Sequence, residues 1–233
     1  MSISLSHYTD IGKRANNEDA LSAHIAGERL LAVVADGVGG QDYGEYASRR
    51  AVETINSLLQ NQRVSQVTLE RATLRANDAV CALHDRRPGA MTTIAVLWLD
   101  GGCAWALNVG DTRIYQFRAG DIVYQSVDHS VAQLAAAAGE LPRSEIRTHR
   151  DRNKLFRVLG MQPAPRMAVS RLEVRPGDRL LICSDGFWEG ILERDMLRCA
   201  AQSDNAEDWL QLMRQIAQPA ASDNNTAIAV IVG

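Results

Sequence analysis

Histidine and cysteine are scarce in this 233-residue chain, and neither is clustered. The five histidines, His7, His24, His84, His129 and His149, show no H-E-x-x-H or H-x3-H spacing, which argues against a zinc site. No two of the four cysteines, Cys81, Cys103, Cys183 and Cys199, form a C-x-x-C pair. Three lie in apolar-rich runs, so free buried thiols in a reducing compartment are expected rather than disulfides. No apolar run is long enough to cross a bilayer, and Met1 to Asp10 lacks the basic-then-apolar pattern of a signal peptide. A cytoplasmic protein without a membrane span is expected. The net charge of −3 offers no excess of cations for nucleic acid or an anionic membrane. There is no internal repeat, low-complexity tract or linker. One domain over residues 1–233 follows, large enough to bury a sizeable core.

Strand signals dominate the centre. The run Leu30 to Ala35 ends at Asp36-Gly37, and Ala20 to Ile25 pairs with it across Gly27. Thr92 to Leu99 and Cys103 to Val109 flank Asp100-Gly101-Gly102, a hairpin signal. Arg113 to Arg118 and Asp121 to Gln125 flank Ala119-Gly120, and Leu180 to Cys183 and Ala227 to Val232 are late strands. Several strands are apolar on both faces, as strands covered on both sides must be. Hairpins make the sheets antiparallel. The economical solution is an α+β, four-layer αββα sandwich, two packed antiparallel sheets flanked by helices. Helices are predicted at Tyr43 to Gln60, Val67 to Leu83, Val131 to Ala138 closed by Gly139, Glu193 to Ala201, and Ala206 to Ala217 capped by Asp204 or Asn205.

Three acidic pairs punctuate the strands. Asp36-Gly37 and Asp185-Gly186 each follow an apolar strand, and Asp223-Asn224 precedes one. Each alone reads as a turn. Together, strand ends on one edge of a sandwich would bring distant carboxylates into one cleft, where their ionised forms need cations. An all-oxygen set selects hard ions, Mg2+ or Mn2+, over zinc. Arg14-Ala15-Asn16-Asn17-Glu18-Asp19 adds one cation beside two acids. It reads either as a solvated turn or as a guanidinium fork that grips phosphate.

These segments resemble, in order and over nearly the whole chain, the metal-dependent protein phosphatases of type 2C, the PPM family. The motifs are Arg14 to Asp19, Val34 to Gly40, Met91-Thr92-Thr93, Asn108 to Arg113, Asp128-His129-Ser130, Val158-Leu159-Gly160, Ser184 to Trp188, and Asp223 to Thr226. The resemblance implies a β-sandwich between helical layers and hydrolysis of phosphoserine or phosphothreonine by water activated between two Mn2+ or Mg2+ ions. It implies that Asp36 bridges both ions, that the Gly37 carbonyl binds one, and that Asp185 and Asp223 hold the other. Glu18 and Asp19 would act through bound waters, and Arg14 would bind the substrate phosphate. Asp111 would hold a third, looser ion with Asp185 shared. Asp128, His129 and Ser130 are read as structural.

Two positions depart from the pattern. Val38 stands where many eukaryotic members have a histidine proposed to protonate the leaving group. Glu189 stands where the family often has aspartate, and its longer side chain changes the third-ion geometry. The stretch from about 139 to 160 falls where the family carries its flap and holds Arg143, Arg147, Arg150, Arg152, Lys154 and Arg157. It reads either as a surface steering acidic or phosphorylated substrates or as a solvated loop whose charges are partly matched by Glu145 and Asp151. The implied partner is a phosphorylated protein, a Ser/Thr kinase or its target. In length and motif wording the chain is similar to members that oppose a threonine kinase in type VI secretion control. Two alternatives stand beside the active phosphatase: a catalytically weak signalling or binding module of the same fold, and another metal-assisted hydrolase such as a phosphodiesterase.

Overall fold

A computed structural model describes residues 1–38, 43–220 and 222–233. Gly39 and Gly40, named above within the Val34 to Gly40 motif, lie outside the described residues. Two five-stranded antiparallel sheets form the centre. The first comprises β1 (Ile3–Asp10), β10 (Asn225–Val232), β9 (Arg179–Cys183), β6 (Arg113–Arg118) and β7 (Asp121–Gln125), in that spatial order. The second runs β2 (Asp19–Ala26), β3 (Arg29–Asp36), β4 (Ile94–Asp100), β5 (Cys103–Val109) and β8 (Ala168–Glu173).

The doubly apolar strands do what their pattern requires. In β3, Leu30, Ala32 and Val34 face the space between the sheets, while Leu31, Val33 and Ala35 face outward onto helices. Between the sheets they meet Leu97 and Leu99 of β4, Leu180 and Ile182 of β9, and Ile228 and Val230 of β10. Outside the second sheet lie α1 (Gly44–Leu59) and α2 (Gln66–Cys81), burying Ile55, Leu59, Leu69 and Val80 against it. Outside the first sheet, α4 (Asp185–Trp188), α5 (Glu193–Ala201) and α6 (Ala206–Ala217) bury Trp188, Met196, Trp209 and Met213. The layering is therefore helix, sheet, sheet, helix, as expected. Alternation along a strand sends one residue to each neighbouring layer.

The hairpin turns follow their sequence signals. Asp100 pairs with Cys103 across Gly101, which has φ +57°. Arg118 pairs with Asp121 across Ala119 and Gly120, both at positive φ, the twist a two-residue hairpin needs. Asn205 rather than Asp204 caps α6, accepting from the Asp208 backbone N–H. Ser130 likewise caps α3 (Val131–Ala137). A 3-10 segment at Arg143–Thr148 lies inside the stretch from about 139 to 160. All four cysteines are free thiols. Among the described residues, no helix is long and apolar enough to cross a membrane.

Leu97 is fully buried between the sheets, away from the strand ends. Leu97→Ala should lower unfolding free energy by about 2–5 kcal/mol, through lost apolar burial plus a cavity. Urea denaturation monitored by circular dichroism checks this, and a change under about 1 kcal/mol would contradict the two-sheet core.

Candidate active site

The strands end in acids at one edge of the sandwich. A cleft of about 300 Å3 there is lined by Arg14, Glu18, Asp36, Gly37, Asp111, Asp185 and Asp223, joined by Val38, Thr93, Asn153 and Leu155. Seven of the eight site residues expected from sequence thus share one cavity. The eighth, Asp19, is buried beside it. Its Oδ2 accepts from Ser184 Oγ at 2.8 Å, while its Oδ1 is buried with no partner. A buried carboxylate oxygen without a donor is costly, and a nearby cation would offset that cost.

Asp36 is fixed by hydrogen bonds from another segment, and Asp185 is fixed through its neighbour Ser184. Asp36 closes β3 opposite Asp19 of β2. The Asp36 carbonyl accepts from Thr93 N and Thr92 Oγ1, each at 2.8 Å, and its N–H donates to Thr93 Oγ1. Met91-Thr92-Thr93 is therefore a clamp on the Asp36 backbone. Thr92 is held in turn by two bonds to Leu159. Gly37 passes so close to α1 that a Cβ there would sit 2.5 Å from the Gly44 carbonyl. Only glycine permits that approach.

Asp185 opens the short helix α4 rather than a plain turn. Ser184 is paired through its backbone and its Oγ to Thr226 of β10, which ties Asp185 to the strand following Asp223. Gly186 lies against the same strand: an added Cβ would stand 2.1 Å from the Asn224 carbonyl. Asn224 organises the loop between β1 and β2. Its Nδ2 donates to the carbonyls of Ile11 and Asn16, and its Oδ1 accepts from Glu18 N–H at 2.8 Å. Arg14, on that loop, donates from Nη2 to Asp223 Oδ2 at 2.5 Å.

Sequence reasoning quoted Asn224, Ser184 and Thr93 within motifs but gave them no task. Their donor and acceptor chemistry is ordinary, and only the positions of partners far along the chain reveal it. Asn153 and Leu155, which bring the 139–160 stretch to the cleft wall, were also missed. Asp128-His129-Ser130 proves structural in geometry. Asp128 grips Arg113 by two bonds at 2.9 and 2.7 Å, His129 Nδ1 accepts from Gly110 N–H, and Ser130 caps α3. Burial, with Arg157 nearby, lowers His129 to about 4, so it is a neutral acceptor. The basic stretch is matched more widely than expected. Arg152 pairs with Glu189, Arg147 with Glu193, and Arg150 and Lys154 with Asp151.

The crowding shows in the acidities. Burial pushes the Asp185 carboxyl up to about 7, with the charges of Glu189, Asp223 and Asp19 adding to it. Burial pushes Asp19 up to about 6, against its hydrogen bonds. Asp36 and Asp111 stand well above the ordinary carboxylate range, first from burial and then from neighbouring carboxylates. The donor set is all oxygen and suits hard cations. Even so, among the described residues no three of these side chains converge closely enough to hold an ion as they stand. Asp223 is turned to Arg14, and Glu189 to Arg152. The orphaned Asp19 oxygen and the raised carboxyls still fit a cation site, because ionised acids packed this densely need a positive charge among them.

Nearly the whole chain matches a known family. Residues 8–231 match Protein phosphatase 2C, and the chain belongs to that family. It is 29% identical over 225 residues to the serine/threonine protein phosphatase PstP of Mycobacterium tuberculosis, covering 94% of this chain but only 43% of PstP. It is 26% identical over 255 residues to protein phosphatase PhpP of Streptococcus pneumoniae, covering 99% of this chain and 97% of PhpP. The catalytic domain of PstP, solved in complex with two manganese ions, superposes with a TM-score of 0.85 at 26% identity and full coverage of both chains.

A carboxyl whose pKa is higher folded than unfolded, where it lies near 4, favours folding only while protonated. That contribution is complete below about pH 4 and is lost as pH rises through about 6 for Asp19 and about 7 for Asp185. In chelator, the melting temperature should therefore fall from about pH 5 to about pH 8, and Asp36→Asn should flatten the fall. Differential scanning fluorimetry across that range reads it. A melting temperature that stays level or rises would count against the crowding.

Proposed function

We propose that this chain is a protein serine/threonine phosphatase that hydrolyses phosphoserine and phosphothreonine with two divalent cations, Mn2+ or Mg2+. The observation that carries the reading is the convergence of Arg14, Glu18, Asp36, Asp111, Asp185 and Asp223 on one cleft in a protein phosphatase 2C chain. The cation assignment is supported by the manganese ions of the PstP catalytic domain. We take residues 1–233 as a single catalytic unit with about 139–160 as its flap, acting in the cytoplasm.

In this reading Asp36 and the Gly37 carbonyl, with Asp185 and Asp223, would hold the two cations, and Glu18 and Asp19 would orient waters around them. Cations in such a site lower the pKa of bound water and screen the charge on phosphoryl oxygens. Arg14 supplies a planar fork to the equatorial phosphoryl oxygens, placed at the cleft mouth by the Asn224-anchored loop. Clamped backbones at Asp36 and Asp185 keep the acids from relaxing apart as charge develops. No histidine lines the cleft among the described residues, and Val38 fills that part of the wall. In this reading water supplies the proton that the departing seryl or threonyl oxygen takes. Asp111 would share Asp185 in holding a third, looser cation, without Glu189, which Arg152 engages.

The substrate is a phosphoprotein, and we propose a Ser/Thr kinase or its target, with type VI secretion control as the setting that the motif wording points to. A catalytically weak module of the same fold is less well supported, because the full acid set and Arg14 line the cleft.

A phosphothreonine peptide should be dephosphorylated with Mn2+ and not with chelator. Asp36→Asn should lower kcat/KM by roughly 10²-fold or more without unfolding the chain. Phosphate release measured by malachite green, with circular dichroism as the folding control, decides it. Equal release with and without chelator, or full activity of the variant, would refute the mechanism.

A further inference from the structure

A second cavity of about 300 Å3 shares no lining residue with the catalytic cleft. Its walls come from β6, the segment following β7, α3, the 3-10 segment and the start of α5. Arg113, Arg143 and Arg147 line it, with Gln133, Ser144 and Glu193. Three arginines face two acids, Glu193 on the wall and Asp128 behind Arg113, so one positive charge is left over. Arg143 has no ion-pair partner among the described residues. Arg147 donates from Nη2 to Glu193 Oε1 at 2.7 Å, but its Nη1 is buried with no partner. That nitrogen is a buried donor for which the fold supplies no acceptor, as is Arg214 Nε elsewhere, but of the two only Arg147 lines a cavity with a second arginine that has no ion-pair partner.

We propose that this cavity binds a tetrahedral oxyanion, a phosphoryl group or its sulfate analogue, between the Arg143 and Arg147 guanidinium groups, with Arg147 turning its unpartnered Nη1 toward the anion. The chemistry fits on three counts. Arginine forks match such oxygens bidentately. Gln133 and Ser144 add neutral donors to the wall. The surplus positive charge has no other partner there.

The site also touches the catalytic elements. Arg113 lies 3.4 Å and Arg147 5.4 Å from the centroid of the Trp188 ring. Trp188 ends α4, the helix that Asp185 begins, and its Nε1 donates to the Asp111 carbonyl at 3.0 Å. An anion on Arg147 pins the 3-10 segment against the helix that carries Asp185. This coupling deepens the proposed function and rests on it, whereas the binding does not.

The anion has two sources, free phosphate or a phosphorylated residue of a protein. Full-length chain carrying Arg14→Ala, which removes the cleft's own guanidinium, is titrated calorimetrically at low ionic strength with inorganic phosphate and, separately, with a phosphothreonine peptide. Binding is expected to weaken by roughly tenfold or more in Arg147→Gln. Ser144→Glu, which leaves the Arg147–Glu193 bond intact and adds a negative charge to the wall, should weaken it similarly. Binding of both probes assigns the site to free phosphate, and of the peptide alone to a phosphoprotein; either supports the site. Crystals soaked in selenate should show anomalous density within hydrogen-bond reach of Arg147. Selenate in the catalytic cleft alone, or titrations unmoved by both variants, would overturn the proposal. The titration reads binding, so an active phosphatase that fails it leaves the proposed function standing, and an inactive chain still tests the site.

Discussion

Mutual repulsion among carboxylates is the constraint on which this structure turns. Asp19, Asp36, Asp111 and Asp185 are gathered at one sandwich edge, and each resists ionisation because it is screened from water and faces other acids. A chain left to itself would spread such groups apart. Here the hydrophobic core between the sheets, with Leu30, Leu97, Ile182 and Ile228 at its centre, holds the strand ends together against that repulsion. The energy stored in the crowding is what a cation would release, so packing in the core and binding at the edge belong to one balance.

Backbone hydrogen bonds convert that packing into a defined geometry. Thr92 and Thr93 clamp Asp36, Ser184 joins α4 to β10 and touches Asp19, and Asn224 ties the Arg14 loop to the strand beside it. Glycines admit the close approaches that side chains would block, as at Gly37 against Gly44 and Gly186 against Asn224. Arginines complete the frame. Arg14 holds Asp223, Arg152 holds Glu189, and Arg113 with Arg147 covers Trp188 behind Asp185.

Much of this was legible before any coordinates. Doubly apolar strands such as Leu180 to Cys183 demanded cover on both faces, and the hairpin turns set the pairing of β4 with β5 and of β6 with β7. The acids that close strands marked the edge where the site lies. Two strands escaped notice. β1 and β8 are edge strands, mostly half-buried, and Ser4, Ser6, Ser170 and Arg171 dilute their apolar pattern. The helix at Asp185 hid behind an Asp-Gly pair that reads equally well as a turn. Asn224 and Ser184 could not be given tasks, because their partners lie across the fold. The basic stretch invited pairing with its own Glu145 and Asp151, yet Arg147 and Arg152 reach Glu193 and Glu189 instead. Local sequence carries propensity and pattern; which distant group satisfies a polar side chain is decided by tertiary packing.

The most direct measurement is anomalous diffraction from crystals of the full chain soaked in Mn2+. The account predicts two peaks about 3.5–4 Å apart, both within coordination distance of Asp36, with Asp185 and Asp223 reaching one of them. Peaks elsewhere on the surface, or ions that leave these three acids unengaged, would contradict it.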